Sequence, residues 1–327
     1  MVKYFIKRIL IMIPMLLVVT FIVFSLVSMS DVDPGRSKLG PEASQELVDE
    51  QNAKYGLDKP FLVRYVKWLA GVATGDFGQS WYYDRPVVQD IAARWPNTIK
   101  LTLLSIGISM LIGIPLGVLA AVRQYSWMDR VFTTLSMLLS AIPTFCMATI
   151  YVLIFSYKLK LVPASGITNG WQCWILPAMT LGVSYATGFL RYTRSAVLET
   201  IRTDYVRTVR SKGVRESKII WGHAFRNALL PLITITGMSL GGLLGGAVIM
   251  ERVFVIPGLG TLVMNGIYQY DMPMVMGTIT ILATVYMLIM LVVDLLYAVV
   301  DPRIRARYSS GKRKKVKPVE EKGGAAA

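Results

Sequence analysis

Residues 9–29 read ILIMIPMLLVVTFIVFSLVSM, a stretch without one charged side chain. An α-helix rises about 1.5 Å per residue and the hydrocarbon core of a bilayer is about 30 Å thick, so roughly 20 apolar residues cross it. The stretch is therefore predicted to be a transmembrane helix. A cleaved signal peptide is the alternative, because basic residues precede the stretch and small residues end it. The length favours a retained anchor, since the apolar core of a signal peptide spans only about 7–15 residues.

Five further stretches are comparably long and apolar, at residues 99–122, 131–157, 174–190, 229–250 and 273–300. Of the 327 residues, 54% are hydrophobic and 17% are charged, whereas about 25% are charged in an average soluble domain. These features predict an all-α membrane protein with six transmembrane helices.

The distribution of Lys and Arg predicts the orientation of the chain. Nine of the 35 basic residues lie within residues 191–226 and nine more within residues 301–327, whereas residues 31–98 hold eight against ten acidic residues. Because basic residues accumulate on the cytoplasmic side, both termini are predicted to be cytoplasmic. In a soluble protein the net charge of +15 would suggest a nucleic-acid partner. This distribution indicates a lipid bilayer instead, and no nucleic acid is expected.

The predicted spans divide the chain into four parts. Residues 1–30 form an N-terminal transmembrane helix, and residues 31–98 form an extracytoplasmic segment with short interfacial helices. In that segment apolar residues recur at helical spacing, and one such helix is predicted between Pro86 and Pro96. Residues 99–300 form a five-helix core that includes a helical cytoplasmic loop. Residues 301–327 form a basic cytoplasmic tail, which is expected to be disordered.

A row of small residues on the fifth predicted span is typical of close helix packing. Lipid offers no hydrophobic drive for helix association, so packing of small residues has to supply it. The residues predicted to pack are Gly241, Gly242, Gly245 and Gly246. Whether they meet another helix of this chain, a partner subunit or a substrate path stays open.

No energy source for transport is visible within the chain. Asp294 is the single acidic residue of the predicted spans and lies near an interface, where we expect it to pair with a basic group or a backbone donor. A proton relay is the alternative. Gly35 and Gly40 have the spacing of a P-loop, but Pro41 and Glu42 follow where Lys and Ser or Thr are needed. Two cysteines and one histidine provide no metal-ligand set. We therefore expect no catalytic residue, metal or cofactor in this chain. The energy for transport is expected to come from contact with another protein.

The cytoplasmic loop, residues 191–228, is the candidate for that contact. Thr203 or Asp204 can cap a short helix, and Gly213 can end it in a left-handed conformation. A second helix follows and is predicted to end near Pro231. Two helices joined by glycine form a rigid knob that can transmit movement. A solvated, positively charged loop without that role is the alternative.

The same loop resembles the signature loop of ABC importer permeases, in the form found in the dipeptide, oligopeptide and nickel branch. The matching stretches are YVRTVRSKG at residues 205–213 and HAFRNALLP at residues 223–231. Val209 departs from the usual alanine and Gly222 from the expected arginine. Further matches occur in order along the chain: YGLDKP at residues 55–60, GDFG at residues 75–78, Glu251, Phe254, Pro257, Gly258 and Gly260, and then Asp294, Tyr297, Ala298, Asp301, Pro302 and Arg303.

This resemblance implies roles for two groups of residues. The loop would dock on an ATPase subunit through the residues Asp204, Tyr205, Arg207, Thr208, Arg210, Lys212, Gly213, Arg215 and Glu216. The outer segments would form an outer gate or contact a binding protein through the residues Asp76, Phe77, Gly78, Glu251, Pro257, Gly258 and Gly260.

The resemblance also implies a set of partners. These are a second homologous permease subunit, two cytoplasmic ABC ATPase subunits that bind ATP and Mg²⁺, and an extracytoplasmic substrate-binding protein. The chain is expected in the cytoplasmic (inner) membrane of a prokaryote, as a non-enzymatic subunit that forms half of the translocation pore. The expected cargo is a di- or oligopeptide, because that cargo is commoner in this branch. Nickel or a metal chelate is one alternative cargo, and a self-sufficient channel or secondary carrier is a second alternative for the function.

Overall fold

The structure, a computed structural model, describes residues 2–30 and 32–300. The predicted tail 301–327 lies outside the described residues, as do Asp301, Pro302 and Arg303. Within the described residues the chain is helical and forms no strand. The helices are α1 (Val2–Ser28), α2 (Pro34–Leu39), α3 (Gln45–Lys54), α4 (Phe61–Ala73), α5 (Val87–Val122), α6 (Trp127–Ala141), α7 (Thr144–Tyr151), α8 (Ile175–Ile201), α9 (Asp204–Ser211), α10 (Glu216–Lys218), α11 (Phe225–Val253), α12 (Leu259–Tyr268) and α13 (Met272–Val300).

Five described helices are long and apolar enough to cross a membrane, namely α1, α5, α8, α11 and α13. They correspond to five of the six predicted stretches, and the all-α membrane class is confirmed. Two of them extend well beyond the prediction. α5 begins at Val87, not near residue 99, and α8 continues to Ile201, so the first part of the predicted loop 191–228 is the end of α8.

The remaining predicted span, residues 131–157, is sharply bent. α6 meets α7 and the π-helical segment that follows it, Val152–Lys158, at an angle of 100°. The break lies at Pro143, because proline disfavours the helical conformation in the residue before it. Ile142 is accordingly extended, with φ −84° and ψ 124°. The single helix expected here is therefore wrong, and a sixth span exists only if the bent pair crosses as one.

α5 runs through Pro96 without a break, so the separate helix expected between Pro86 and Pro96 is also wrong. A proline inside a helix removes one backbone hydrogen bond and normally bends or ends the helix. Here packing holds the first turns in line, because Val87 and Ile91 are buried against α12 and α13. The helix therefore extends from its membrane span into the predicted extracytoplasmic segment.

The most extensive helix contact joins α5 to α8, which is the most buried of the five long helices. Glycines on α5 allow the two backbones to approach. A Cβ added at Gly113 would lie 2.5 Å from the Cβ of Phe189, and one at Gly117 would lie 2.6 Å from the Cβ of Thr193. Small residues at such crossings supply the packing that drives helix association in lipid. This pair forms the centre of the bundle.

The first and last long helices pack on each other at the edge of the bundle. Arg8 of α1 donates a hydrogen bond to Oδ1 of Asp294 on α13 at 2.7 Å, which confirms the expected pairing of that carboxylate with a basic group. α4 packs on the C-terminal half of α1, where the rings of Tyr65 and Phe24 lie 5.3 Å apart between centroids. The segment 32–86 is thereby attached to the first span.

Candidate functional site

The two-helix loop, residues 202–218, is the first region predicted to be functional. α9 begins at Asp204, whose carboxylate is favoured by the positive N-terminal end of the helix. Thr203 occupies the N-cap, but its hydroxyl donates to the carbonyl of Thr200 at 2.6 Å and not to the helix. Val206 is fully buried and anchors α9 to the bundle.

Gly213 reverses the chain after α9. Its φ of +74° lies in the left-handed region, which other residues rarely adopt. Across this turn Arg210 binds Glu216 through two hydrogen bonds, of 2.6 and 3.1 Å. The hydrogen bond from Arg210 to the Glu216 carboxylate, followed by Coulomb attraction, raises the pKa of Arg210 above its ordinary value. Both side chains are about half exposed, so the pair defines the shape of the turn more than it stabilises the fold.

The second helix of the loop is continuous with a transmembrane helix. α10 passes into a π-helical segment, Ile219–Ala224, and then directly into α11. Pro231 lies inside α11, so the predicted end near Pro231 is wrong. Proline is tolerated within spans where neighbouring groups satisfy the freed backbone, and the buried side chains of Ile219 and Ala224 hold the preceding π-helical turn against the bundle. A displacement of the loop would therefore move the transmembrane helix α11 directly.

The base of the loop is tied to three long helices. The hydroxyl of Tyr205 donates to the carbonyl of His223 at 3.4 Å and accepts a hydrogen bond from the side-chain amide of Asn227. An apolar cluster joins the ends of α5 and α8 to the start of α11. Its buried members are Val118, Ala121, Ala196, Val197, Ile220 and Ala228. α9 and the start of α11 are therefore held together as one unit.

The outward surface of the two-helix loop is basic. Arg207, Lys212 and Arg215 are exposed, and within the part of the chain that the structure describes none of the three forms an ion pair. Thr208 instead bonds within its own helix, to the carbonyl of Asp204 at 3.0 Å. Unpaired cations on a rigid support suit contact with an acidic protein surface.

A second cluster surrounds Glu251, near the opposite end of α11. Its carboxylate is fully buried. One oxygen accepts from the hydroxyl of Thr98 at 2.6 Å, and the other accepts from the backbone N–H of Thr261 at 2.9 Å. The hydroxyl of Thr98 in turn accepts from the N–H of Leu259 at 2.8 Å. The carboxylate thus lies at the positive N-terminal end of α12 and joins α5, α11 and α12.

The predicted residues Glu251, Pro257, Gly258 and Gly260 lie together in this cluster. A Cβ added at Gly258 would lie 2.0 Å from Oε1 of Glu251, and one at Gly260 would lie 2.5 Å from the backbone of α11. The carbonyl of Pro257 accepts from the side-chain amide of Asn97 at 2.8 Å. The glycines are therefore required by the close approach of the carboxylate and of α11.

Thr98 and Asn97 were not among the predicted residues of this cluster. They form a pair of polar residues directly after Pro96, at the entrance to an apolar stretch. This position next to Pro96 was the only feature of the sequence that could have indicated a role for Asn97 and Thr98, because their partners Glu251 and Pro257 lie far away in the sequence.

Asp76, Phe77 and Gly78 lie in the turn after α4. Asp76 accepts a hydrogen bond from the backbone N–H of Gly78 at 2.8 Å, which shapes the turn. Phe77 packs on an apolar cluster that contains Leu259 of α12 and Met274 of α13. The two predicted outer regions therefore meet through this apolar cluster.

The four predicted packing glycines of α11 have different surroundings. A Cβ added at Gly241 would lie 2.2 Å from the ring of Tyr286 on α13, and one at Gly242 would lie 2.6 Å from a tyrosine hydroxyl of α8. A Cβ at Gly246 would be in ordinary contact with α8 at 3.8 Å, whereas one at Gly245 would meet none of the described residues within 4 Å. Gly241 and Gly242 thus pack within the chain, and Gly245 faces open space.

The chain matches two protein families along most of its length. Residues 1–102 match the N-terminal family of binding-protein-dependent transport system membrane components, and residues 113–306 match the binding-protein-dependent transport system inner membrane component family. The glutathione transport system permease protein GsiC of Salmonella choleraesuis (strain SC-B67) is 38% identical over 305 residues, which cover 93% of this chain and 99% of that protein. GsiC of Escherichia coli (strain K12) is 37% identical over the same shares of both chains.

A solved structure has a similar fold. A chain of the MetNI methionine ABC transporter, in its CY5 native crystal form with inward-facing conformations, superposes with a TM-score of 0.57 and 19% identity. The match covers 65% of this chain and 97% of that chain. The likeness at this identity concerns the fold alone.

Proposed function

Because the chain belongs to the family of binding-protein-dependent transport system inner membrane components, we propose that it carries di- or oligopeptides. It is an ABC importer permease, a multi-pass inner-membrane transport subunit that works with a substrate-binding protein and ATPase partners. The relatives support this cargo, because they are glutathione transport system permeases by name and glutathione is a tripeptide. Uptake by the reconstituted transporter with its binding protein would test it. Uptake of nickel but not of small peptides would contradict it.

The two-helix loop is the proposed docking site for an ATPase subunit. The observation that carries this proposal is the continuous helical link from the loop to α11, together with the exposed cations of Arg207, Lys212 and Arg215, which form no ion pair within the described residues. Arg210, paired with Glu216, would keep the shape of the docking surface. ATP and Mg²⁺ would bind to the ATPase, and its closure would move the loop and α11 as one body.

Movement of α11 would reach the outer side through the Glu251 cluster. Glu251 lies near the far end of α11 and is bonded to α5 and α12. A rigid shift of α11 would therefore pull on the start of α12. We assign this region, with Asp76 to Gly78 beside it, to the outer gate or to contact with the binding protein.

The assembly is proposed to contain a second homologous permease and two ATPases, with both termini of this chain in the cytoplasm. The orientation is supported by the concentration of basic residues in residues 191–226. The open face at Gly245 would meet the partner permease or line the path between the two subunits.

Substitution of Gly213 tests the docking role. A Cβ at this position would meet nothing within 4 Å, so a substitution acts through the backbone conformation alone. Gly213→Val forces a β-branched residue to φ +74°, and the left-handed conformation costs about 1–2 kcal/mol for residues with a Cβ. Gly213→Asn is the matched control, because asparagine tolerates this conformation.

We expect Gly213→Val to lower ATPase co-purification and ATP-dependent uptake about tenfold, since about 1.4 kcal/mol corresponds to a factor of ten. Gly213→Asn should retain most of both. Unchanged association and uptake in the valine variant would reject docking through this loop. Flux through liposomes that contain this chain without any ATPase would instead support a self-sufficient carrier.

A further inference from the structure

Two adjoining cavities lie between α1, α4 and the start of α13. Their volumes are about 520 and 390 Å³, within the range of about 300–1,000 Å³ that is usual for small-molecule sites. Leu57, Arg64, Trp81 and Met272 line both cavities. Because the two cavities share these four residues, we treat them as one site, the paired cavity.

Three buried polar atoms of residues that line the paired cavity lack a hydrogen-bond partner among the described residues. They are Nε of Arg64, Nε1 of Trp68 and Oγ of Ser28, and they make up half of the six such atoms among the described residues. Buried polar groups are normally hydrogen-bonded, so three such atoms without a partner around one cavity require an explanation. Two of them are N–H donors and the third is a hydroxyl. Their side chains would have to turn toward the cavity before the acceptor oxygens of a ligand bond to them.

The charge on the walls favours an anion. Lys59 and Lys67 are exposed at the rim, and within the described ranges neither forms an ion pair. Lys54 is already paired with a glutamate one helical turn away, and Asp84 is paired with a lysine of α2. Asp76 accepts a hydrogen bond from a backbone N–H of its own turn. Asp271, on the wall of the second cavity, accepts hydrogen bonds from the backbone N–H groups of Trp81 and Tyr82. Among the described residues, the lining cations without an ion pair are therefore Lys59, Lys67 and Arg64.

The position of Arg64 is built by its neighbours. Its guanidinium carbon lies 5.9 Å from the centre of the Phe24 ring. Trp81 also lines both cavities; its backbone N–H donates to Asp271 at 3.2 Å and its ring stacks on Tyr55 at 4.5 Å. The site is thus held by contacts within the chain and does not depend on the ligand for its shape.

The paired cavity is amphipathic and lies at the ends of two spans. Leu26 and Val27 come from the last turn of α1, while Met272 and Val275 come from the first turn of α13, so one side is apolar. Trp68 stands at the basic side. Tryptophan is enriched where a membrane meets water, because its ring is apolar and its N–H needs a polar partner.

We propose that the paired cavity binds a phospholipid with an anionic headgroup. Phosphodiester oxygens would accept hydrogen bonds from Arg64 and Trp68, since a guanidinium matches the geometry of phosphate. An acyl chain would lie against Val27, Met272 and Val275. The bound lipid would fasten α4 to α1 and α13, beside the turn that carries Phe77. This inference goes beyond the import of peptides and does not depend on the cargo.

The experiment uses the whole transporter, purified with its ATPases and partner permease. Detergent-washed complexes are titrated with phosphatidylglycerol, and bound lipid is counted by native mass spectrometry. Arg64→Gln should weaken phosphatidylglycerol binding about tenfold, because charge-assisted hydrogen bonds are lost. Trp68→Phe removes the indole N–H and keeps an aromatic ring, so it should weaken phosphatidylglycerol binding less. Arg36→Gln is the matched control, since Arg36 lies on α2 and does not line either cavity.

Separate titrations distinguish a lipid from other anions. Phosphatidylglycerol binding that depends on Arg64 and that inorganic phosphate does not displace supports the proposal. Binding of inorganic phosphate without retention of lipid would overturn it, as would equal lipid retention by the wild-type and Arg64→Gln complexes. Cross-linking that places a segment of a partner chain in the cavity would also overturn it. If Arg64→Gln does not assemble, the comparison of Trp68→Phe with the wild type decides the question by the same measurement.

Discussion

Replacing Thr98 with valine removes a hydroxyl that serves two buried groups at once. Thr98 donates to the carboxylate of Glu251 at 2.6 Å and accepts from the N–H of Leu259 at 2.8 Å. Valine has nearly the same shape, so Thr98→Val changes hydrogen bonding without leaving a large void. The variant therefore isolates the polar link between α5, α11 and α12.

The expected loss of stability follows from the two broken bonds. A hydrogen bond to a charged group contributes about 1.5–3 kcal/mol, and a buried donor left without a partner costs about 1–3 kcal/mol. Neighbouring effects of this kind do not add fully, so we expect a total of about 3 kcal/mol for Thr98→Val. The same loss should loosen the N-terminal end of α12 and impair uptake.

Thr102→Val provides a matched control on the same helix. Thr102 is as buried as Thr98, but its hydroxyl donates to a carbonyl of its own helix, that of Thr98, at 2.8 Å. No carboxylate and no other helix loses a partner in this variant. We expect the control to cost less than about 1 kcal/mol.

Thermal unfolding of the purified transporter measures the difference between the two variants. For chains of 150–250 residues about 1 kcal/mol shifts Tm by about 2–4 °C. This chain has 327 residues, so Thr98→Val should lower Tm by at most about 6–12 °C and Thr102→Val by at most about 2–4 °C. Equal shifts for the two threonines would refute the argument that the Glu251 cluster joins the three helices.

Two further predictions concern helix contacts within the bundle. Arg194 binds the buried carboxylate of Asp129 at 2.6 and 2.8 Å, so Arg194→Leu should cost about 3–5 kcal/mol in thermal unfolding, because it leaves a buried charge unpaired. Adding Asp129→Leu should recover much of that loss, and no recovery would contradict the pairing. Gly241→Val should destabilise the chain by forcing its side chain into Tyr286. Gly245→Val, which meets open space among the described residues, should leave Tm of this chain unchanged. Loss of the proposed partner permease in that variant alone would identify Gly245 as an interface residue.

The apolar stretches determined the membrane class and five of the spans directly from the sequence. A bilayer leaves unpaired backbone groups unsatisfied, so a long apolar stretch has few alternatives to a helix. The sequence also predicted the start and end of α9. Asp204 suits the first turn of a helix, and Gly213 adopts the left-handed conformation that ends the helix. These features depend on residues close together in the sequence.

Whether a helix ends at a proline could not be predicted from the neighbouring residues alone. Pro143 ends a helix, whereas Pro96 and Pro231 lie within continuous helices. The local cost of proline is similar at each position. Burial of the turns before Pro96 against α12 and α13, and of Ile219 and Ala224 before α11, decides the outcome. That burial exists only in the folded chain.

The pairing of distant polar groups was likewise decided by the tertiary structure. Thr98 and Glu251 lie 153 residues apart, and Arg8 and Asp294 lie 286 apart. Local sequence specifies which segments become helices, because backbone preference and the need to satisfy backbone hydrogen bonds act over a few residues. Which side chains then meet depends on how those helices cross, and that arrangement is set by packing throughout the bundle.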